Sequence, residues 1–244
     1  MNAILLALPY FTMVFIFYHQ SNGFIRSYDN LYAYWKTLPV LILSILYYAV
    51  GSSFNSCQRT YASLGLLFGA IGDYMITRPN DGLIFGAICF AIGHIFYLFT
   101  FTHRIGDLCF PLLFTITLTN LVLFYMNLAL LLIIHPVALS IMIIYLFLLS
   151  TCVTLSGSLY IHGGPYDLPR QLNNLLRLLG FALFYLSDSA LIIQHVGIAI
   201  PVADKLILLT YFVAQYLISC GSSSSSSLFL LSSLPSLSLL SLCC

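Results

Sequence analysis

Long apolar stretches separated by short polar segments dominate the chain. A helix needs about 20 apolar residues, within a range of about 17 to 25, to cross the hydrocarbon core of a bilayer. Charged and turn-forming residues divide the sequence into stretches of about that length. They predict an all-α fold, a polytopic transmembrane helix bundle of about eight helices. The predicted spans are 2–19, 37–53, 61–77, 82–103, 110–134, 136–158, 173–196 and 203–219.

Composition identifies the solvent of this bundle. Of the 244 residues, 61% are hydrophobic and only 6% are charged, and the mean hydropathy is +1.02. Soluble domains carry about 25% charged residues, so this chain has too few to cover a surface that faces water. We therefore expect the lipid bilayer to surround it. A net charge of +1 provides no basic surface, which argues against a nucleic-acid partner.

Two regions of different composition are predicted. Residues 1–220 form the transmembrane helical domain, and residues 221–244 form a Ser/Leu-rich low-complexity tail that opens with six consecutive serines after Gly221. Basic residues are shared equally by the loops of the two sides, four against four. The positive-inside rule therefore leaves the membrane orientation open.

Small residues recur at helical spacing within two neighbouring spans. Gly65 and Gly69 lie four residues apart on the third span, and Gly82, Gly86 and Gly93 share one face of the fourth. Such faces let transmembrane helices approach closely. Tight packing between these helices is the favoured interpretation.

Two carboxylates lie inside predicted spans. Asp73 occurs in GLLFGAIGDYMI on the third span, and Asp188 occurs in GFALFYLSDSALII on the seventh. An ionisable group near the bilayer centre costs at least about 2.5–3.5 kcal/mol, so such groups usually face a cavity or a partner. Each aspartate is accordingly a candidate functional residue, although one near a helix end can also have a purely structural role.

Span direction predicts that these polar residues meet. Spans three and seven end on the same side of the membrane, which places Asp73 about 6 Å and Asp188 about 12 Å below it, at about 1.5 Å per residue. Spans four and eight return from that side, with Tyr211 near 12 Å and both His94 and Gln215 near 18 Å by the same rise. Alternatively, these residues have separate structural roles, His94 as a hydrogen-bonded core histidine and Tyr211 with Gln215 in interhelical hydrogen bonds. The shared depth of the polar residues favours one pocket.

The loops on this side contain three basic residues that would form a cationic rim to the pocket, and Tyr97 lies close to His94 on the fourth span. The rim residues are Lys36, Arg78 and Lys205.

Five short motifs make the sequence recognisable. They are Lys36-Thr37-Leu38-Pro39, Gly72-Asp73, Gly86…Phe90…Gly93-His94…Tyr97, Gly180…Phe184…Ser187-Asp188 and Thr210-Tyr211…Ala214-Gln215. In this order, over roughly residues 30–219, the chain resembles the YhhN family of membrane proteins, whose characterised animal members are lysoplasmalogenases. The resemblance implies an eight-helix fold, a location mainly in the endoplasmic reticulum membrane, and two essential aspartates that correspond to Asp73 and Asp188.

The chain departs from the family pattern at two places. The family often has a tyrosine shortly after the Pro-Val of its sixth span, whereas Pro136-Val137 is followed here by Ala-Leu-Ser. The Ser/Leu-rich tail has no family counterpart.

Two acids suit the reaction that the resemblance implies, which is hydrolysis of the sn-1 vinyl ether of a lysophospholipid substrate. Such hydrolysis needs a proton donor and a stabilising anion, as glycoside hydrolysis does. We expect Asp188 as the acid and Asp73 as the anion, although a coupled pair titrates as a unit and the assignment stays open.

The remaining candidates would bind substrate. They are Lys36, His94, Tyr97, Tyr211 and Gln215. Lys36, Arg78 or Lys205 would hold the phosphate, and His94, Tyr211 and Gln215 would orient water or the glycerol hydroxyl. No metal or other cofactor is expected, since the histidines are too dispersed to form a zinc site.

Two other functions are compatible with the sequence. A transporter or channel would use the intramembrane aspartates to carry protons or cations, although no clear internal repeat favours it. A non-catalytic lysolipid-binding membrane protein would keep the fold without cleaving the lipid.

Overall fold

The computed structural model describes residues 3–50, 56–79, 81–125, 136–163, 168–195 and 200–222. These ranges contain eight α-helices and no β-strand, which confirms the all-α prediction. A short 3-10 turn, Thr102–Arg104, follows the fourth helix. The helices are α1 (Ala3–Gln20), α2 (Asn30–Val50), α3 (Ser56–Ile76), α4 (Gly82–Phe99), α5 (Phe110–Leu123), α6 (Pro136–His162), α7 (Leu168–His195) and α8 (Ala203–Gly221).

Parts of two predicted regions lie outside the described residues. The predicted span 110–134 is described as far as residue 125, and the Ser/Leu-rich tail as far as residue 222.

The apolar helices make this a multi-pass integral membrane protein. Within the described ranges, five helices are long and apolar enough to cross a bilayer, and α1 and α5 are shorter apolar helices. The five are α2, α4 with the turn that follows it, α6, most of α7, and α8. The third helix is less apolar, because it carries Gln58, Arg59 and Asp73.

The second helix begins seven residues earlier than predicted. The sequence places its start at residue 37, but α2 begins at Asn30. Lys36 therefore lies almost two turns inside a helix, at 3.6 residues per turn, and is not a loop residue. A helix tolerates this buried ammonium group because a carboxylate on α3 lies beside it.

Close helix contacts are made at the predicted glycines. A Cβ atom on Gly65 of α3 would lie 2.6 Å from a ring carbon of Tyr97 on α4, and one on Gly93 would lie 2.9 Å from the carbonyl oxygen of Gly65. Gly180 of α7 is equally enclosed, since its Cβ would lie 2.8 Å from the backbone nitrogen of Ile218 on α8. These contacts confirm the close packing predicted for the small residues of α3 and α4, and α7 pairs with α8 in the same way.

The helix pairs α3–α4 and α7–α8 form the centre of the bundle. They are joined by α2, which packs on α3, and by α6, which packs on both α4 and α7. The first helix packs on α2 and α8, whereas α5 contacts α6 and leaves most of its side chains exposed. The functional candidates lie on the central helices.

Candidate functional site

A cavity of about 70 Å³ lies at one end of the bundle. It opens where α3 and α7 end and where α2, α4, α6 and α8 begin. Asp73 and Asp188 both line it, on the side of the membrane that span direction predicts.

Asp73 is the more enclosed of the two acids, with 1% of its surface exposed. Its Oδ1 lies 3.1 Å from the Nζ atom of Lys36 on α2. Its Oδ2 accepts a hydrogen bond of 2.5 Å from the hydroxyl of Tyr211 on α8. A positive charge and a hydroxyl donor both favour the anionic form of a carboxyl group, so Lys36 and Tyr211 stabilise the carboxylate of Asp73.

A chain of hydrogen bonds continues from Tyr211 into the interior of the bundle. The Nε2 atom of Gln215 donates to the Tyr211 hydroxyl at 3.1 Å, and the hydroxyl of Tyr97 donates to Oε1 of Gln215 at 2.9 Å. Gln215 therefore supplies the donor that turns the Tyr211 hydroxyl hydrogen toward Asp73. Gly69 makes room for this amide, because a Cβ there would lie 3.1 Å from Nε2.

The structure corrects the placement of Tyr97 and Gln215. Both are buried behind Tyr211, and neither is among the side chains that line the cavity. Their distance along the helices matches the predicted depth, but they lie behind the first layer of side chains, where they are linked to Tyr211 by hydrogen bonds.

Asp188 has a different set of partners. It is 8% exposed, and its Oδ2 accepts a hydrogen bond from the hydroxyl of Tyr145 on α6. Within the described ranges the ion pair of Lys36 with Asp73 is the one ion pair seen. Asp188 interacts electrostatically with both of those charges. It is thus a carboxyl group that faces the cavity with one hydroxyl donor and without a bound cation.

The ring of Phe90 separates the two acid–tyrosine pairs. Its centroid lies 6.4 Å from the ring of Tyr145 and 6.1 Å from that of Tyr211. Phe90 also lines the cavity, and it packs against Gly72, where a Cβ would lie 3.1 Å from three of its ring atoms. The apolar ring thus contacts both tyrosines that donate hydrogen bonds to the acids.

His94 does not reach the cavity, contrary to the prediction. Its Nδ1 donates to the carbonyl oxygen of Phe90 at 2.6 Å, one helical turn earlier. Its Nε2 atom has no hydrogen-bond partner among the described residues. The centroid of the imidazole ring lies 4.9 Å from that of Phe184 and 5.7 Å from that of Tyr145. His94 therefore belongs to the packed layer beneath the site.

The predicted cationic rim is also corrected. Lys36 is buried in the ion pair with Asp73. Arg78 donates to the side-chain oxygen of Asn30 and lies over the ring of Tyr74, 4.2 Å from its centroid. Neither Arg78 nor the exposed Lys205 lines the cavity. The charged residues at its mouth are instead Arg26 and Asp204.

The sequence analysis missed Tyr145, which donates the hydrogen bond to Asp188. The family pattern places a tyrosine shortly after Pro136-Val137, where this chain has Ala-Leu-Ser. Tyr145 lies nine residues after Pro136, so it is about 13 Å below the same face at 1.5 Å per residue. That depth matches the predicted depth of Asp188. Applying the depth rule to the sixth span would have identified it.

Comparison with known proteins supports the resemblance carried by the motifs. A search of curated proteins and a search of solved structures find no match. The model of the YhhN family matches residues 31–222, which is most of the chain and includes both aspartates and both tyrosines of the cavity. The chain therefore belongs to the YhhN family.

Proposed function

We propose that this protein is a membrane hydrolase that cleaves the sn-1 vinyl ether bond of lysoplasmalogens, in the endoplasmic reticulum membrane. The products are a fatty aldehyde and a glycerophospho-alcohol. Membership of the YhhN family supports the proposal. The observation that carries it is one cavity lined by an ion-paired aspartate and by an aspartate without a bound cation.

The chemistry of a vinyl ether calls for this pair of groups. Its double bond is electron-rich, so it reacts with a proton rather than with a nucleophile. Protonation of the outer alkene carbon gives an oxocarbenium ion, and water adds to the carbon bonded to oxygen. The resulting hemiacetal collapses to the aldehyde and releases the glycerol oxygen as an alcohol. One water is consumed and the proton returns to the enzyme.

Asp188 suits the role of general acid. Its cavity-facing carboxyl group is hydrogen-bonded to Tyr145 and has no bound cation that would hold it as an anion. A positioned acid of this kind contributes about 10²–10⁴-fold to a rate.

Asp73 suits the role of stabilising anion. Lys36 and Tyr211 keep it charged and fixed before the substrate enters. A preorganised charge in a site that excludes water stabilises a developing charge of opposite sign without reorganisation. Asp73 would therefore stabilise the oxocarbenium ion and accept a proton from the attacking water.

The lining of the cavity agrees with a lipid whose vinyl ether lies beside the two acids. Asp73, Asp188, Tyr145 and Tyr211 form its polar side. The apolar side of the cavity is formed by residues of α4, α6 and α7, which would lie against the start of the chain. These residues are Leu83, Ala87, Met142, Leu191 and Ile192.

The test is product analysis by mass spectrometry with purified full-length protein. Lysolipids with the same headgroup and chain length, but with a vinyl ether, a saturated ether or an ester at sn-1, are offered in parallel. Aldehyde is expected from the vinyl ether alone. In D₂O the aldehyde should carry one deuterium on the carbon next to the carbonyl, with unlabelled aldehyde incubated in D₂O as the exchange control.

The Asp188→Asn variant tests the assigned acid. It should fold and lose at least about 100-fold in aldehyde release, as expected for removal of a general acid. Near-wild-type turnover in this variant would eliminate the two-acid mechanism. Proton flux in proteoliposomes without any lipid product would favour the transporter, and lysolipid binding without product would favour a non-catalytic binding protein.

A further inference from the structure

The mouth of the cavity carries one basic and one acidic side chain with no role in the chemistry above. Arg26 lies in the segment between α1 and α2, and Asp204 lies in the first turn of α8. Both are partly exposed, and both line the same cavity as the two intramembrane aspartates. They form no ion pair with each other in the part of the chain that the structure describes. Two opposite charges are thus presented separately to whatever occupies the mouth.

Tyr32 lines the cavity together with these two charges. Its side chain interacts electrostatically with Arg26, with Asp204 and with Asp73. It is 9% exposed and lines the cavity, and no hydrogen bond to its hydroxyl is made by another described residue. Its hydroxyl is therefore available to a molecule bound in the cavity.

Asp204 is also partly available. The Nε2 atom of Gln194 donates to its Oδ1 at 3.3 Å. This single long contact leaves Oδ2 without a protein donor among the described residues.

Left-handed backbone conformations precede both charges by a few residues. Asn22, Gly23 and Phe24 have φ angles of 51°, 84° and 66°, and Val202 has a φ of 52°. A β-branched residue such as valine is rarely found with positive φ. Residues held in sparsely populated regions cluster at ligand sites, where the surrounding structure enforces them.

The first of these turns is enforced by packing. Phe24 is 1% exposed, and its ring lies 5.3 Å from that of Phe17 and 6.1 Å from that of Phe212. The core thereby holds the turn that leads into Arg26.

We propose that Arg26, Tyr32 and Asp204 form a subsite for a phosphate ester that also carries an ammonium group. The Arg26 guanidinium would bind the phosphate, for which its planar set of N–H donors is suited. Asp204 would bind the ammonium group, and Tyr32 would donate to a phosphate oxygen. The subsite rests on the proposed function, because it places the headgroup of the same lysolipid whose vinyl ether lies between Asp73 and Asp188.

The arrangement selects as well as binds. A lysolipid that ends in a phosphate monoester has no cation for Asp204 and brings extra negative charge toward it. Specificity arises from such repulsion as much as from attraction. Arg26 therefore provides affinity for every phosphorylated lysolipid, and Asp204 provides the preference for an ammonium-bearing headgroup.

The test measures binding to the purified full-length protein rather than turnover. The probes are saturated alkyl-ether lysolipids, which lack the reactive double bond and differ only in headgroup: phosphoethanolamine, phosphocholine, phosphate monoester, or none. The wild-type protein should bind the two ammonium-bearing lipids about tenfold more tightly than the phosphate monoester, the effect of one charge-assisted contact.

Substitutions at the two charged residues separate their roles. Asp204→Asn should reduce the preference to within about twofold, and Asp204→Glu should retain it. Arg26→Gln should weaken binding of all phosphorylated probes about tenfold and leave the lipid without phosphate unchanged. Lys205→Gln is the matched control, since this exposed neighbour of Asp204 does not line the cavity.

The outcomes for the subsite and for the proposed function are distinguishable. A preference that survives Asp204→Asn, or wild-type protein that binds none of the probes, would overturn the subsite even if aldehyde is produced. A preference that depends on Asp204 in a protein that releases no aldehyde would uphold the subsite and remove the hydrolase. Arg26→Gln provides the test from the opposite side of the mouth if Asp204→Asn does not fold.

Discussion

Asp73 and Asp188 line the same cavity, and each accepts a hydrogen bond from a tyrosine, yet they differ in their charged partner. Asp73 lies 3.1 Å from Lys36, while Asp188 has no bound cation. Two carboxylates in one site take different roles when their surroundings stabilise different protonation states. The lysine on α2 is thus the feature that distinguishes a stabilising anion from a proton donor.

The largest difference between the two acids should appear in stability. Asp73→Asn leaves the buried ammonium of Lys36 without its partner, and breaking a buried ion pair costs about 3–5 kcal/mol. Asp188→Asn removes no ion pair and should leave thermal unfolding in detergent nearly unchanged, although both variants lose aldehyde release. The double variant Lys36→Met/Asp73→Asn should recover most of the lost stability. Equal unfolding temperatures for the two single variants would show that the ion pair does not distinguish the acids.

The two tyrosines provide a finer test of the same contrast. Tyr211→Phe removes a donor to Asp73 and leaves the buried amide of Gln215 without an acceptor, which should lower stability by about 1–3 kcal/mol. Tyr145→Phe affects only the carboxyl group of the acid. It should lower kcat about tenfold and change the pH profile of kcat, with little change in unfolding temperature. A stability loss in Tyr145→Phe as large as that in Tyr211→Phe would contradict the division of roles.

The smallest effect concerns the ring that separates the acids. A methyl group added by Gly72→Ala would lie 3.1 Å from the ring of Phe90 and shift it by a few tenths of an ångström. Small displacements of the reacting groups reduce the rate, so kcat should fall about threefold to tenfold. Gly106→Ala is the control, because nothing lies within 4 Å of the added atom. Unchanged turnover in Gly72→Ala would show that Phe90 does not set the spacing of the acids.

The architecture was predictable because the bilayer restricts the options. Lipid offers no hydrogen bonds to the backbone, so apolar stretches of this length must be helical. The sequence accordingly predicts eight helices, and the described ranges contain eight. The direction of each span and the rise per residue then place Asp73, Asp188 and Tyr211 at one end of the bundle, where the cavity lies.

The partners of the acids were harder to predict. Depth along a helix follows from sequence, but the direction in which a side chain points depends on helix rotation, which is set by packing against neighbours. His94 and Gln215 lie deep in the bundle, as expected, yet one layer behind the cavity. Tyr145 lies at the depth of Asp188, so its depth could be predicted, but only the packing of α6 against α7 shows that its hydroxyl points toward that acid.

By itself, the sequence determined that this chain is a helical membrane protein with two acids in one leaflet, because the cost of placing polar groups in lipid limits where they can lie. Only the tertiary structure decided which acid receives the lysine. Lys36 was expected in a loop and lies inside α2, because the carboxylate of Asp73 on the neighbouring helix compensates its charge. Such compensation requires that each helix be rotated about its axis so that the two side chains meet. The sequence of one helix alone does not determine that rotation.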